Sequence, residues 1–137
     1  MYVLFLVISL FISKPEVVVL EPFGFSERMQ QSENYLLIDT RRVEKYCNSR
    51  LYGAEWCGSK KMLRDIVKHI DKHTDIFVYC SIGKSSKKAT RQLIRMGFIN
   101  VYELKGGFPL WSELGFPVNN IPLSDDEICN DVINVNE

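Results

Sequence analysis

The run Ile76-Phe77-Val78-Tyr79 is apolar at every position. A strand with one wet face alternates apolar and polar residues. An unbroken apolar run must be covered on both faces, as in the middle of a parallel sheet. Helical patterns flank it. Over Lys60 to Ile70 the apolar residues Met62, Leu63, Ile66, Val67 and Ile70 fall on one helical face. Ser85 to Met96 forms a second such stretch, with Ala89, Leu93 and Met96 inward and Lys87, Lys88, Arg91 and Arg95 on the wetter side. Gly97 marks its stop.

The same alternation extends along the chain. The β-branched run Val17-Val18-Val19-Leu20 reads as a buried strand, broken by Pro22 and Gly24, with a short helix over Ser26 to Gln31. Tyr35 to Ile38 is the next strand, ending at Asp39. A short helix follows over Arg42 to Cys47, then an extended piece over Leu51 to Ala54. Val101 to Leu104 is the last strand and Phe108 to Leu114 the last helix. Strands alternating with helices imply βαβ units, hence an α/β fold with a mainly parallel sheet.

The 137 residues suit one core. The net charge is zero, so no global field favours nucleic acid or an anionic membrane. Four cysteines, Cys47, Cys57, Cys80 and Cys129, show no zinc-like spacing, and the strength of the strand and helix patterns disfavours a framework of two disulfides. His69 and His73 lie four residues apart near a helix end without an evident third ligand, so no metal is expected.

Tyr2 to Ile12 is apolar except for Ser9. Such a run is shorter than the ~20 residues that span a bilayer, and its length matches the apolar part of a secretory signal. No Lys or Arg precedes it and no small-residue cleavage site follows. The reading divides the chain into an apolar segment at 1–14, a domain at 15–118 and a polar, acidic, loosely attached tail at 119–137. A periplasmic or cell-envelope location follows if residues 1–14 act as a signal or anchor, and a cytoplasmic one otherwise.

Cys80 directly follows the central strand, and a helix begins a few residues later. Ligands of open α/β sheets bind beyond the carboxyl ends of the strands. In Cys80-Ser81-Ile82-Gly83-Lys84-Ser85-Ser86 the glycine permits a tight turn, and the small serines let backbone N–H groups point inward as an anion-binding nest. The helix that follows adds its positive end. Such surroundings lower a thiol's pKa and suit a thiolate, a persulfide anion or an anionic sulfur donor. Lys84 stands where it could steer such a donor. The alternative is a buried, inert cysteine at a strand end.

Five segments in order resemble the rhodanese family. Leu37-Ile38-Asp39-Thr40-Arg41 is similar to the family's strand ending in Asp-x-Arg, and Glu44-Lys45-Tyr46 to its Glu-(x)-Tyr. Ser49 to Ala54 resembles a degraded Gly-His-Ile-Pro-Gly-Ala. Val78-Tyr79-Cys80 with the loop through Ser86 resembles the active-site strand and six-residue loop. Gly97-Phe98, then Val101 to Gly107 with Trp111 and Gly115-Phe116-Pro117, resembles the closing Gly-Gly-x-x-x-Trp…Gly-x-Pro signature. The resemblance implies a five-stranded parallel sheet flanked by helices and a double displacement in which Cys80 takes a sulfane sulfur from a donor such as thiosulfate and passes it to cyanide, a thiol or a protein acceptor. It implies a catalytic Cys80, a binding loop of Ser81, Ile82, Gly83, Lys84, Ser85 and Ser86, support from Asp39 and Arg41, no metal and no organic cofactor. A monomer is expected, with membrane contact only through residues 1–14. Many members carry Arg near the loop's end, where this chain has Ser85-Ser86; small single-domain members with Ser-Ser endings also exist, which leaves the donor open.

Two other readings compete. A cysteine phosphatase shares the strand–loop–helix arrangement but needs Arg where Ser86 stands. A non-catalytic binding or regulatory module would have no need of Cys80. Cys47 and Cys57 are candidate resolving thiols, and Phe108 and Trp111 read as core.

Overall fold

The computed structural model describes residues 14–123. Most of the apolar N-terminal segment and most of the acidic tail therefore lie outside the described residues, as does Cys129. The order is β1 (Val18–Leu20), α1 (Pro22–Gln31), β2 (Tyr35–Asp39), α2 (Val43–Asn48), β3 (Glu55–Trp56), α3 (Lys60–Val67), β4 (Asp75–Tyr79), α4 (Lys84–Arg95), β5 (Val101–Leu104) and α5 (Gly107–Glu113). The strands form one five-stranded sheet in the order β1-β5-β4-β2-β3, with every pairing parallel.

β4 lies at the centre because it can be covered on both faces. Ile76, Phe77, Val78 and Tyr79 are all 0% exposed. Successive side chains point to opposite faces. Ile76 and Val78 pack with Leu63 and Val67 of α3 and Leu93 of α4. Phe77 and Tyr79 pack with Phe25 of α1 and Trp111 of α5. The Phe25 and Phe77 rings meet edge to face at 5.1 Å, a favoured aromatic geometry.

α4 stops where the sequence places Gly97. The Phe98 N–H donates to the Leu93 carbonyl and the Gly97 N–H to that of Ile94. This double bond pattern satisfies carbonyls that the last turn leaves open, and Leu93 packs with Phe98 in the core.

Several local expectations change. β1 is not buried: Val18 and Val19 are 46% and 53% exposed. It is an edge strand paired only with β5, and β-branched composition does not distinguish an edge from a centre. Pro22 and Gly24 do not interrupt the chain before a helix; they lie in it, with Pro22 in the first turn, where its missing N–H costs nothing. Leu51 to Ala54 is a turn closed by Ala54 N–H to the Leu51 carbonyl, and the extended residues are Glu55 and Trp56. α3 ends at Val67, short of Ile70, although Ile70 still packs against the core. The tail is tied down as far as it is described: Asn119 and Arg50 exchange backbone hydrogen bonds, and the Leu123 N–H donates to the Cys47 carbonyl.

Leu93→Ala removes a wholly buried side chain that touches both the sheet and the α4 cap. It is expected to lower unfolding free energy by about 2–5 kcal/mol in urea titration.

Candidate active site

β4 delivers Cys80 to the carboxyl end of the central strand, and Gly83 makes the turn that follows. Its φ of 86° is left-handed, a conformation that side chains resist, and it caps the start of α4. The Gly83 N–H thereby points back at the Cys80 sulfur, with N to Sγ 2.8 Å. The Ser86 Oγ, one turn into the helix, lies 3.1 Å from the same sulfur. The chain beyond β5 closes the other side. Gly107 approaches so closely that a Cβ there would collide with the Cys80 carbonyl oxygen, and the Phe108 N–H donates to that oxygen at 2.8 Å.

Cys80 is 1% exposed. Burial raises a thiol's pKa, and it is the largest single influence here. It is outweighed by hydrogen bonds from the Ser86 hydroxyl and N–H, the Gly83 N–H and the Ser85 hydroxyl, which together bring Cys80 below the ordinary thiol value. The burial is thus polar on the sulfur's side, unlike that of an inert core cysteine.

The loop residues divide by what they touch. Gly83, Ser85 and Ser86 engage the sulfur. Ser81 instead meets Lys45 of α2, Nζ to Oγ 3.3 Å. Ile82 is 77% exposed, and Lys84 is exposed on the first turn of α4. Ser85 is braced by Thr40, with the two hydroxyl oxygens 2.9 Å apart.

Asp39 and Arg41 are both buried and bind each other, Arg41 Nη2 to Asp39 Oδ2 at 2.7 Å. The Arg41 N–H also donates to Asp39 Oδ1, and the guanidinium reaches the Ser49 carbonyl and stacks 3.9 Å over the Phe108 ring. The Tyr79 hydroxyl donates to Asp39 Oδ2 at 2.6 Å and accepts from the Leu51 N–H. Burial, then the Asp39 charge, holds the Tyr79 hydroxyl well above its usual pKa. This cluster joins the end of β2 to the turn before β3 and to α5. No hydrogen bond links it to the Cys80 sulfur among the described residues.

Three participants escaped the sequence reading. Thr40 and Tyr79 were hidden because their bonds link residues far apart in the chain. Glu103 left a signal: it is one charge inside the apolar run Val101 to Leu104, and a buried charge must find a partner. Its Oε1 accepts from the Ser86 hydroxyl at 2.9 Å.

The other cysteines differ in kind. Cys47 is disulfide-bonded, so it brings no resolving thiol to the site. Cys57 and Cys80 are both free, so the four cysteines do not pair into two disulfides. Cys57 is free and borders a cavity of about 260 Å³ shared with Thr40 and Ser85. Burial, only partly offset by a hydrogen bond from the Ser59 backbone, pushes its thiol up to about 11. Among the described residues no cluster suits a metal ion, and no helix is long and apolar enough to cross a membrane.

Comparison with known proteins agrees with this architecture. The family model for the rhodanese-like domain matches residues 25–114. The chain is 31% identical over 81 residues to the thiosulfate sulfurtransferase GlpE of Pseudomonas entomophila, covering 59% of this chain and 73% of that protein. It is 32% identical over 90 residues to the protein of the same name from Actinobacillus succinogenes, covering 66% and 80%. The crystal structure of the Alr3790 protein from Anabaena superposes with a TM-score of 0.68 at 23% identity, covering 85% of this chain and 93% of that one.

The Cys57 shift sets a pH dependence. A thiol raised from 9.0 to about 11 by folding stays neutral in the native state while the unfolded chain ionises. Its contribution is complete below pH 9 and is lost as pH rises from about 9 to about 11. Denaturant titrations are expected to show this alkaline loss, and Cys57→Ala to flatten it.

Proposed function

The chain belongs to the rhodanese-like domain family, whose curated relatives include sulfurtransferases, and we propose that it transfers a sulfane sulfur through a persulfide on Cys80. The observation that carries this reading is the convergence of the Gly83 N–H and the Ser86 hydroxyl on the Cys80 sulfur, at 2.8 and 3.1 Å.

In the first half-reaction the Cys80 thiolate attacks the outer sulfur of thiosulfate. The Cys80 S–S bond forms, the donor's S–S bond breaks, and sulfite leaves with the electron pair. Charge balances, because one thiolate and a dianion become one persulfide anion and a dianion. In the second, a thiolate or cyanide attacks the outer sulfur of the persulfide, forming an acceptor persulfide or thiocyanate and returning Cys80 as thiolate. Covalent storage splits one transfer into two displacements.

The loop stabilises the anionic form of Cys80 before and after transfer. In the empty enzyme Gly83, Ser85 and Ser86 surround the anionic inner sulfur at short range, so stabilising it needs only the rotation of a hydroxyl. Ser81, Ile82 and Lys84 form the loop's outer surface, where an anionic donor approaches and Lys84 attracts it. Asp39 and Arg41 support the loop through Phe108 and the β2 end rather than by touching the donor. Cyanide, a small thiol or a thiol on a protein all fit the second step.

A phosphatase reading lacks its central group. The position where that signature carries an arginine to clamp phosphate is Ser86, and Ser86 is held by Glu103.

Incubation with thiosulfate is expected to add one sulfur atom to the mass of the protein, measured by intact mass spectrometry. Cys80→Ser is expected to abolish the gain and to reduce thiocyanate formation to background. A gain that survives in Cys80→Ser would refute the assignment.

A further inference from the structure

Ser86 stands between two groups that both require its hydroxyl hydrogen. Its Oγ lies 3.1 Å from Cys80 Sγ and 2.9 Å from Glu103 Oε1. All three residues are buried: Ser86 is 0%, Cys80 1% and Glu103 5% exposed. A hydroxyl has one hydrogen and two lone pairs, and an ionised carboxylate only accepts. When the hydrogen points to Glu103, the sulfur faces a lone pair, which suits a protonated thiol donating to Ser86. A thiolate has no hydrogen to give and needs the Ser86 O–H for itself.

We propose that Glu103 is a positioning residue that competes with Cys80 for the single hydrogen of Ser86, and so sets how readily the Cys80 thiol ionises. The proposal rests on Cys80 as the working nucleophile. It also gives the half-reactions a direction. In the empty enzyme the charge is on Sγ, and Ser86 must turn from Glu103 to meet it. In the persulfide the charge moves to the outer sulfur, Sγ no longer needs the hydrogen, and Glu103 takes it back. Glu103 therefore favours the loaded enzyme over the empty thiolate. The exchange of the Ser86 hydrogen between Glu103 and Sγ is a rotation of one O–H; the bonds that change at sulfur are the S–H broken on ionisation and the S–S formed on loading. The proton that Cys80 loses goes to solvent.

The other charges around the loop do not substitute for Glu103. Lys84 and Lys87 lie in the first turn of α4, with the Lys87 side chain next to Gly83, and Lys45 of α2 reaches Ser81. These cations favour the thiolate from the rim. Asp39 at the end of β2 is neutralised by Arg41 and bonded by Tyr79 of β4. Lys105, just past β5, pairs with Glu21 at the surface. From α5, Phe108 contributes an amide, bonded to the Cys80 carbonyl. Among the described residues Glu103 is the carboxylate hydrogen-bonded to a group that touches the sulfur.

The test is a titration of Cys80 thiolate by ultraviolet absorbance, each protein measured against its own Cys80→Ser counterpart. Glu103→Gln is expected to lower the midpoint by about one pH unit, because the amide N–H donates to Ser86 and frees its hydrogen for sulfur. In a Ser86→Ala background the same substitution is expected to move the midpoint far less, since the hydroxyl that couples the two sites is gone. A midpoint unmoved or raised by Glu103→Gln overturns the proposal. So does an equal shift with and without the Ser86 hydroxyl, which would mark a through-space field. If Glu103→Gln does not fold, Glu103→Ser, too short to reach Ser86, carries the same expected shift. A wild-type protein that titrates and responds in this way but accepts no sulfur would refute the sulfur-transfer reading alone.

Discussion

The site depends on a contest at one atom. Placing Cys80 at the end of a fully buried strand penalises its thiolate. The loop repays that penalty with groups placed before any ligand arrives, the Gly83 N–H fixed on the sulfur at 2.8 Å and the Ser86 hydroxyl within turning reach of it at 3.1 Å. Cys57 is the internal control. It too is a buried free thiol, but it meets a carbonyl rather than a row of donors, and burial prevails there. Two cysteines in one small domain thus acquire opposite chemistry from their hydrogen-bond partners.

The rest of the fold can be read as what holds that loop still. β4 must be central for Cys80 to emerge at the carboxyl edge between β2 and β5. From the end of β2 and the residues just past it come Asp39, Thr40 and Arg41; Asp39 accepts from Tyr79 and Thr40 meets Ser85. Just past β5, Gly107 and Phe108 pack against the Cys80 carbonyl. The buried Asp39–Arg41 pair would be costly if it stood alone. It is fully bonded, by Tyr79, by the Ser49 carbonyl and by the Phe108 face, and so serves as a rigid joint beneath the site.

Much of this was legible because it is local. The parallel α/β sheet followed from Ile76 to Tyr79 and from the period of Lys60 to Ile70, and the loop from a cysteine, a glycine and two serines between strand and helix. The errors were matters of context. Val18 and Val19 look like core, yet sit on an edge, and Leu51 to Ala54 looks extended, yet turns. The hidden parts join distant residues: Thr40 with Ser85, Tyr79 with Asp39, and Glu103 with Ser86. No spacing rule reaches across those separations. A lone acid in an apolar strand was the one visible hint, and it announced a partner without naming it.

The central claim concerns the charge on one sulfur, and titration of the unmodified protein reads it most directly. The ultraviolet thiolate signal of wild type minus that of Cys80→Ser should rise with a midpoint below the ordinary thiol value of 9.0. A midpoint at or above that value would mean that burial prevails over the loop's donors, and would contradict the account.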